Sequence, residues 1–468
     1  MLSEEKNLAG SKSSGPLRPT VSVRSSPKPY IASLLVLVFF SCLFFYLESN
    51  TAGLVFLFVA LILVPILAFA DHIAFNGKRI YRNGMLQRAW AYASGRRYWL
   101  RPRDIEQVET LVNMTMKRGG RVYFRYETRI RGKGQIFILV SGGEDYRKLA
   151  KELFSLLPCE VLDANSIEVR DYLGARRDYK RLAEHSEIPS ADVLLSLFKS
   201  KGSDWFKIGS IAASKEAADL DLRAGDLQRL GNQLKHAGSL LQALESFRRA
   251  LRIRPKDPWL LFDLARCLRF FALSERDNRL ERKAAALLRL AERHAGGDAH
   301  LLSRLGEAYF QTGDLQRAGG VFKRSLEIAG DHFRSIRGMA ELALRDGKLA
   351  HVVHNFSLAS RSAQTPSLRK WSRAEAEYFA RLNDDEEYLE MELGRVNLLD
   401  SIERWRRSLL RLTLLGFPVI LFGITFDEGV ITNSGWIVSV SAVSLWTILS
   451  ISRRLFSDRI EAHLLDDG

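Results

Sequence analysis

Two pairs of apolar segments bracket this chain, and they limit its fold more than any other feature. Residues 31–47 and 53–70 are separated by Glu48-Ser49-Asn50-Thr51. Residues 412–426 and 435–451 are separated by a loop that opens with Asp427-Glu428 and holds no Lys or Arg. Crossing a bilayer takes about 20 mainly apolar residues, so the pairs read as transmembrane hairpins over 30–70 and 404–453. The third segment reaches that length only by including 408–410, with Arg411 snorkelling to the interface. The fourth is diluted by Ser439, Ser441, Ser444 and Thr447. Pro65 and Pro418 are tolerated inside membrane helices. Basic residues flank both pairs: Arg18, Arg24 and Lys28, then Lys78, Arg79 and Arg82, then Arg404, Arg406, Arg407 and Arg411, then Arg453 and Arg454. Lys and Arg collect on the cytoplasmic side. The expectation is a multi-pass integral membrane protein with both termini and all soluble parts in the cytoplasm.

The formal charge of +15 raises the question of nucleic acid. Much of the excess sits beside the membrane ends, where it serves topology and contact with anionic lipids, so no nucleic-acid partner is expected. Cys42, Cys159 and Cys267 form no CxxC pair, which fits a reducing compartment and neither a disulfide framework nor a zinc site. Residues 1–29 are rich in Ser, Pro and basic residues and are expected to be disordered. The first apolar segment is too long for a signal-peptide core and is followed at once by a second span, so it reads as retained. Residues 454–468 read as a cytoplasmic tail.

After the first hairpin the pattern becomes β. Residues 121–130 and 135–140 are rich in aromatic and β-branched residues around Gly132-Lys133-Gly134, a hairpin signal. Gly119-Gly120 reads as another turn, and residues 78–86 as two short strands meeting at Asn83-Gly84. Tyr146, Leu149, Ala150, Leu153, Phe154 and Leu157 recur at helical spacing over 144–157. This set over 73–158, with the Asp104-Ile105-Glu106-Gln107-Val108 strand after Pro102, resembles the bacterial pleckstrin-homology-like domain that often follows a membrane hairpin. The resemblance implies a small barrel or sandwich near a bacterial inner membrane. Lys117, Arg118, Arg121, Arg129, Arg131 and Lys133 cluster at its turns. Of these, Lys117, Arg118, Arg121, Arg131 and Lys133 are candidates for contact with lipid head groups.

Residues 159–222 read as a helical connector broken at Ile188-Pro189-Ser190, with Trp205 and Phe206 free to dock on a neighbour. Beyond it the chain repeats. From Ala224 it reads Leu227, Leu230-Gly231, Leu234, Gly238, Ala243, Phe247, Ala250 and Pro255. From Ala299 it reads Leu302, Leu305-Gly306, Tyr309, Gly313, Ala318, Phe322 and Ser325, and from Phe333 a further copy holds Met339-Ala340, Gly347 and Phe356. Gly231, Ala265, Gly306 and Ala340 are spaced 34, 41 and 34 residues apart, the longer gap marking an insertion around 274–278. A 34-residue period with small residues at fixed offsets resembles the tetratricopeptide repeat. The resemblance implies a stack of helical hairpins over 223–400, with a degenerate fifth unit from Ser367. The fold class is therefore mainly α: a tetratricopeptide-type solenoid, a small β-rich pleckstrin-homology-like domain and two transmembrane hairpins.

In that register the concave face holds Asn232, Lys235, Phe262, Arg266, Arg269, Phe270, Phe310, Arg334, Arg337 and Arg345. Arg266/Arg269 and Arg334/Arg337 share a three-residue spacing and so a helix face. Guanidinium groups pair bidentately with carboxylates, so this face is the candidate groove for an acidic partner segment. Of the carboxylate clamp found in some chaperone-binding members of the family, only Asn232 falls at a matching position. No phosphate-loop, dinucleotide, HExxH, hydrolase-elbow or kinase signature is present. His351 and His354 read as surface residues, and Asp384-Asp385-Glu386-Glu387 as a solvated helix start. No catalytic residue, metal ligand or cofactor is expected. The expected function is a membrane-anchored scaffold or adaptor that binds partner proteins through the solenoid. The alternative is a regulatory subunit of a membrane transporter or membrane enzyme. Intramembrane chemistry usually needs ionisable residues, and residues 31–70 hold only Glu48, which favours the scaffold.

Overall fold

The computed structural model describes residues 21–25, 27–84, 98–117, 121–140, 143–173, 176–201 and 217–456 of the 468. It is mainly helical with two small antiparallel sheets. Two compact units emerge. One holds the first strand and residues 69–376, the other residues 27–68 and 377 onward.

The first unit begins with a departure from expectation. Val21–Arg24 (β1) pairs antiparallel with His72–Phe75 (β2), and Ser25 bridges to Leu139. Residues 21–25, expected to be disordered with the rest of 1–29, therefore belong to the sheet. Val23 is buried in the β-domain core, and the open edge of β2 supplies backbone partners, which together outweigh the polar composition. Ile80–Arg82 (β3) and Trp99–Leu100 (β4) complete this sheet in the order β1-β2-β3-β4. The strand expected after Asn83-Gly84 falls on residues 85–86, outside the described residues, as does Gly119-Gly120. The second sheet is Gln107–Lys117 (β5), Arg121–Gly132 (β6) and Gln135–Val140 (β7). β6 and β7 join through Lys133-Gly134, at φ 48° and 70°, the pair of positive values that a tight two-residue hairpin needs. Glu144–Phe154 (α3) lays Tyr146, Leu149, Ala150, Leu153 and Phe154 on the core.

Three short helices follow: Ala164–Tyr172 (α4), Arg176–His185 (α5) and Ala191–Lys201 (α6). The break between α5 and α6 falls at Ile188-Pro189-Ser190, and Trp205 and Phe206 lie outside the described residues. Helices then run in antiparallel pairs: Ala217–His236 (α7) with Leu240–Ile253 (α8), Pro258–Glu275 (α9) with Asn278–His294 (α10), Ala299–Thr312 (α11) with Leu315–Ala329 (α12), and Phe333–Arg345 (α13) with Leu349–Ser362 (α14). Pro366–Asp384 (α15) follows. The small residues are where helices touch. A Cβ on Gly231 would stand 2.7 Å from the Phe247 ring, and one on Gly306 would stand 2.5 Å from Phe322. Phe322 also packs on Gly338 of α13, so one ring fills the gap within its own pair and to the next. The inserted residues form no loop. They lengthen α9 and α10 to 18 and 17 residues, against 14 and 15 in the next pair, and the turn is made by Arg276 at φ 52°.

The second unit contains Lys28–Tyr46 (α1), Asn50–Ala70 (α2), Glu386–Thr425 (α16) and Gly429–Leu455 (α17). Asp385 caps α16 by accepting from Tyr388 N at 3.0 Å, with Glu386 and Glu387 in the first turn, as expected of an acidic helix start. Among the described residues, three helices are long and apolar enough to cross a membrane: α2, α16 and α17. The apolar stretch 30–46 of α1 is shorter. In α2 a π turn at Val59–Leu63 precedes Pro65, the local adjustment that lets a helix absorb a proline. α16 and α17 pack through small residues, with Gly416 against Ser439, Gly423 against Thr432, and Gly435 against Ile420, the close approach favoured between apolar helices. Both tight turns place an acidic residue at positive φ, Glu48 at 58° and Asp427 at 56°. Tyr46 stacks on Trp436 and donates to Asn433 Oδ1 at 2.7 Å, tying the two hairpins together near those turns.

Candidate functional site

The face formed by the first helices of each pair is the site that the sequence points to, and it is filled from within the chain. Segment 158–173 enters it from the β domain. Val108 N donates to Val161 O at 2.8 Å and Asp163 N to Val108 O at 3.0 Å, so the segment runs briefly parallel to β5. Asp163 then caps α4, accepting from Ser166 N at 2.8 Å and from Thr110 N at 3.2 Å. A chain of buried hydroxyls fixes the helix to the sheet: Ser166 to Thr110 at 2.7 Å, Thr110 to Thr128 at 3.0 Å, and Thr128 to Tyr146 at 2.7 Å.

So held, α4 aims Glu168 into the helix row. Its carboxylate meets Lys235 Nζ at 3.0 Å, Arg304 Nη2 at 3.3 Å and His236 Nε2 at 3.3 Å, and pairs with Arg266. Glu168 is 5% exposed and Lys235 1%. Arg266 also donates to Asn165 Oδ1 at 3.2 Å, and Lys235 to Asn232 Oδ1 at 2.9 Å. Asn232 and Gln228 in turn donate to Asp263 Oδ2 at 2.9 and 2.8 Å. Further along, Arg334 donates to the carbonyls of Leu162 at 2.7 Å and Cys159 at 2.9 Å and pairs with Glu307 at 2.6 Å. The β domain itself completes the contact. Phe124 packs edge-on against Phe270, Tyr126 Oη lies 2.9 Å from His236 Nδ1, and Val122 N donates to Gly238 O at 3.0 Å. Gly238 needs its φ of +83° to end α7, and any Cβ there would strike Val122 O.

Burial sets the charge states here. It pulls the Lys235 ammonium below the ordinary lysine value. It also lowers Arg266, with the facing Arg304 adding to the effect. Burial and Lys235 together hold His236 well below the usual histidine range, so it stays neutral. Burial alone would raise Glu307, but Arg334 and Arg304 bring it below the ordinary carboxylate value. Burial pushes the Cys267 thiol up to about 12, which makes it an unreactive core residue. This is an arrangement that binds an acidic helix and holds it.

The expected groove residues divide accordingly. Lys235, Arg266 and Arg334 are closed over by α4 or its neighbouring segment, and Asn232 and Phe262 are buried beside them. Phe270 is taken by Phe124. The groove expected to be open for a partner is thus occupied over this stretch, because the chain supplies its own acidic segment. Arg269, Phe310, Arg337 and Arg345 stay partly open. Arg269 donates to Gln311 O at 3.2 Å, Arg337 packs over Trp371 and pairs with Glu341 at 2.9 Å, and Arg345 lies over Phe310. Of the expected lipid contacts, Lys133 pairs with Asp104 at 2.9 Å and Arg131 with Glu109 at 3.8 Å. Arg118 and the side chains of Lys117 and Arg121 lie outside the described residues. Sequence reasoning missed Glu168, Arg304, His236, Asp163 and Glu307. The Asp163-Ala164-Asn165-Ser166 cap was the one available signal for α4. No family model matches the chain, and no curated protein is similar to it.

Proposed function

We propose that this protein is a non-catalytic scaffold or adaptor of a bacterial inner membrane. In this reading 30–70 and 404–453 are transmembrane hairpins, and both termini and the soluble unit lie in the cytoplasm. The β domain is pleckstrin-homology-like, and the helix pairs are tetratricopeptide repeats clamped onto it. The observation that carries the reading is the basic face gripping Glu168. A surface built to bind an acidic helix is the working part of the molecule, and its inner half is already in use. Partner proteins then meet the part left open, around Arg269, Phe310 and Arg345, where cation and aromatic side chains suit an acidic segment with apolar residues.

The test is affinity purification of the full chain from solubilised membranes. Phe310→Ala with Arg345→Glu should remove the main co-purifying protein while leaving the unfolding transition in place. Retention of the same partner at the same salt tolerance would contradict the reading. Tags at residue 1, near 215 and at 468 should all report cytoplasm. The basic flanks and acidic turns motivate that topology. A regulatory role in a transporter or membrane enzyme is the rival, and recovery of such a complex as the stable partner would favour it.

A further inference from the structure

A cleft of about 670 Å³ opens on the β domain between the β2–β3 turn, the segment after β4 and the start of α15. Small-ligand sites run from about 300 to 1,000 Å³. Lys78, Arg79, Arg101 and Arg103 line it, and none of the described residues lining it is acidic. Arg79 and Arg101 lie over Trp99, at 4.3 and 5.4 Å from its ring. An aromatic face thus orders the two guanidinium groups without neutralising them. The acids flanking the lining segments are committed elsewhere. Asp104 pairs with Lys133 at 2.9 Å, and Glu160 accepts from Gln364 N at 3.1 Å. Thr365 also lines the cleft and caps α15, accepting from Leu368 N at 3.2 Å. The positive end of a 19-residue helix therefore adds to the four cations.

The remaining wall is apolar. Leu156 is its exposed part, at 51%, while Ile105 and Val161 are nearly buried, at 1% and 2%. Four like charges in one concavity repel, and an anion relieves that repulsion. Guanidinium forks match phosphate oxygens in geometry, and a phosphate monoester brings about −1.5 to −2 charges, more than one carboxylate. We infer that the cleft binds a phosphate monoester carried on an apolar body. The phosphate lies among Lys78, Arg79, Arg101 and Arg103, and the body lies against Leu156. This site is distinct from the β6–β7 turn that carries Arg131 and Lys133. The ligand's source is a bilayer lipid or a soluble amphiphile.

The test uses the full chain in detergent, titrated calorimetrically with dihexanoyl phosphatidic acid, dihexanoyl phosphatidylcholine and inorganic phosphate. Phosphatidic acid should bind, the zwitterionic lipid should not, and phosphate alone should bind about tenfold more weakly or worse. Lys78→Glu with Arg103→Glu should weaken phosphatidic acid about tenfold or more without moving the unfolding midpoint. Leu156→Gln should weaken the lipid and spare inorganic phosphate. In nanodiscs, competition by bilayer phosphatidic acid but not by phosphatidylcholine assigns a lipid source, and absence of competition assigns a soluble one. Unchanged affinity in the charge-reversed variant, or phosphate binding as tightly as the lipid, would overturn the inference.

Discussion

Among the described residues, two carboxylates each gather three cations, and they sit in opposite environments. Glu168 holds Lys235, Arg266 and Arg304 at 5% exposure. Glu403 on α16 holds Arg406 at 3.0 Å, Arg453 at 3.1 Å and Arg407 at 3.4 Å at 31% exposure. Their stoichiometry is alike and their consequences differ. Water already solvates the charges around Glu403, so pairing adds little there. Around Glu168 the cations have been stripped of water, and the carboxylate is what makes their burial tolerable. A list of ion pairs therefore says little about this protein until burial is known.

Removing each hub separates them most sharply. Glu168→Ala leaves buried cations uncompensated and should cost about 3–5 kcal/mol. Thermal unfolding of the solubilised full chain, followed by tryptophan fluorescence, should show a clear drop in midpoint. A change within error would mean that the hub is not buried in solution.

An apolar change within the helix row gives a yardstick of similar size. Phe322 packs on Gly306 and Gly338, and Phe→Ala at such a site costs about 3–5 kcal/mol. If the Phe322→Ala midpoint matched that of the parent, the register of the helix pairs would be wrong.

Acid should weaken the first unit by a smaller amount. Burial with Lys235 lowers His236, burial with Arg304 lowers His300, and burial with His332's neighbour His300 lowers His332. These groups stay neutral when folded, whereas unfolded histidine takes a proton near pH 6.5. Below that value the unfolded chain binds more protons, so stability is complete above it and falls as pH drops. Denaturant midpoints at pH 7.5 and 5.5 should show the fall, and His236→Gln should flatten it. An equal slope in the variant would remove His236 from the explanation.

The smallest effect belongs to the exposed hub. Glu403→Gln should shift stability by about 1 kcal/mol or less, and a loss as large as that of Glu168→Ala would erase the contrast.

How much of this was legible follows from how far each signal extends along the chain. Gly231, Gly306 and Phe322 were readable because a repeat states the same packing rule several times. The four apolar helices were readable because their composition is uniform over many residues. Glu168 was not, since α4 is nine residues long and one glutamate in a short connector looks like any solvated charge. Its importance comes from Lys235, Arg266 and Arg304, which lie far along the chain. The same holds for Val21–Arg24, where two valines in a basic, Ser-rich stretch give no strand signal until β2 offers an edge. The residues assigned to the concave face lie on the first helices of the pairs. What the sequence left out was that a segment encoded earlier would already occupy it.

Hydrogen exchange of the full chain, read peptide by peptide, tests this occupation most directly. A nine-residue helix is marginal on its own, so α4 gains slow exchange only by docking. Amides of Ile167–Tyr172 should exchange as slowly as those of α9, through an opening as costly as unfolding of the unit. Exchange of α4 within seconds while α9 stays protected would show an open basic face and contradict the account.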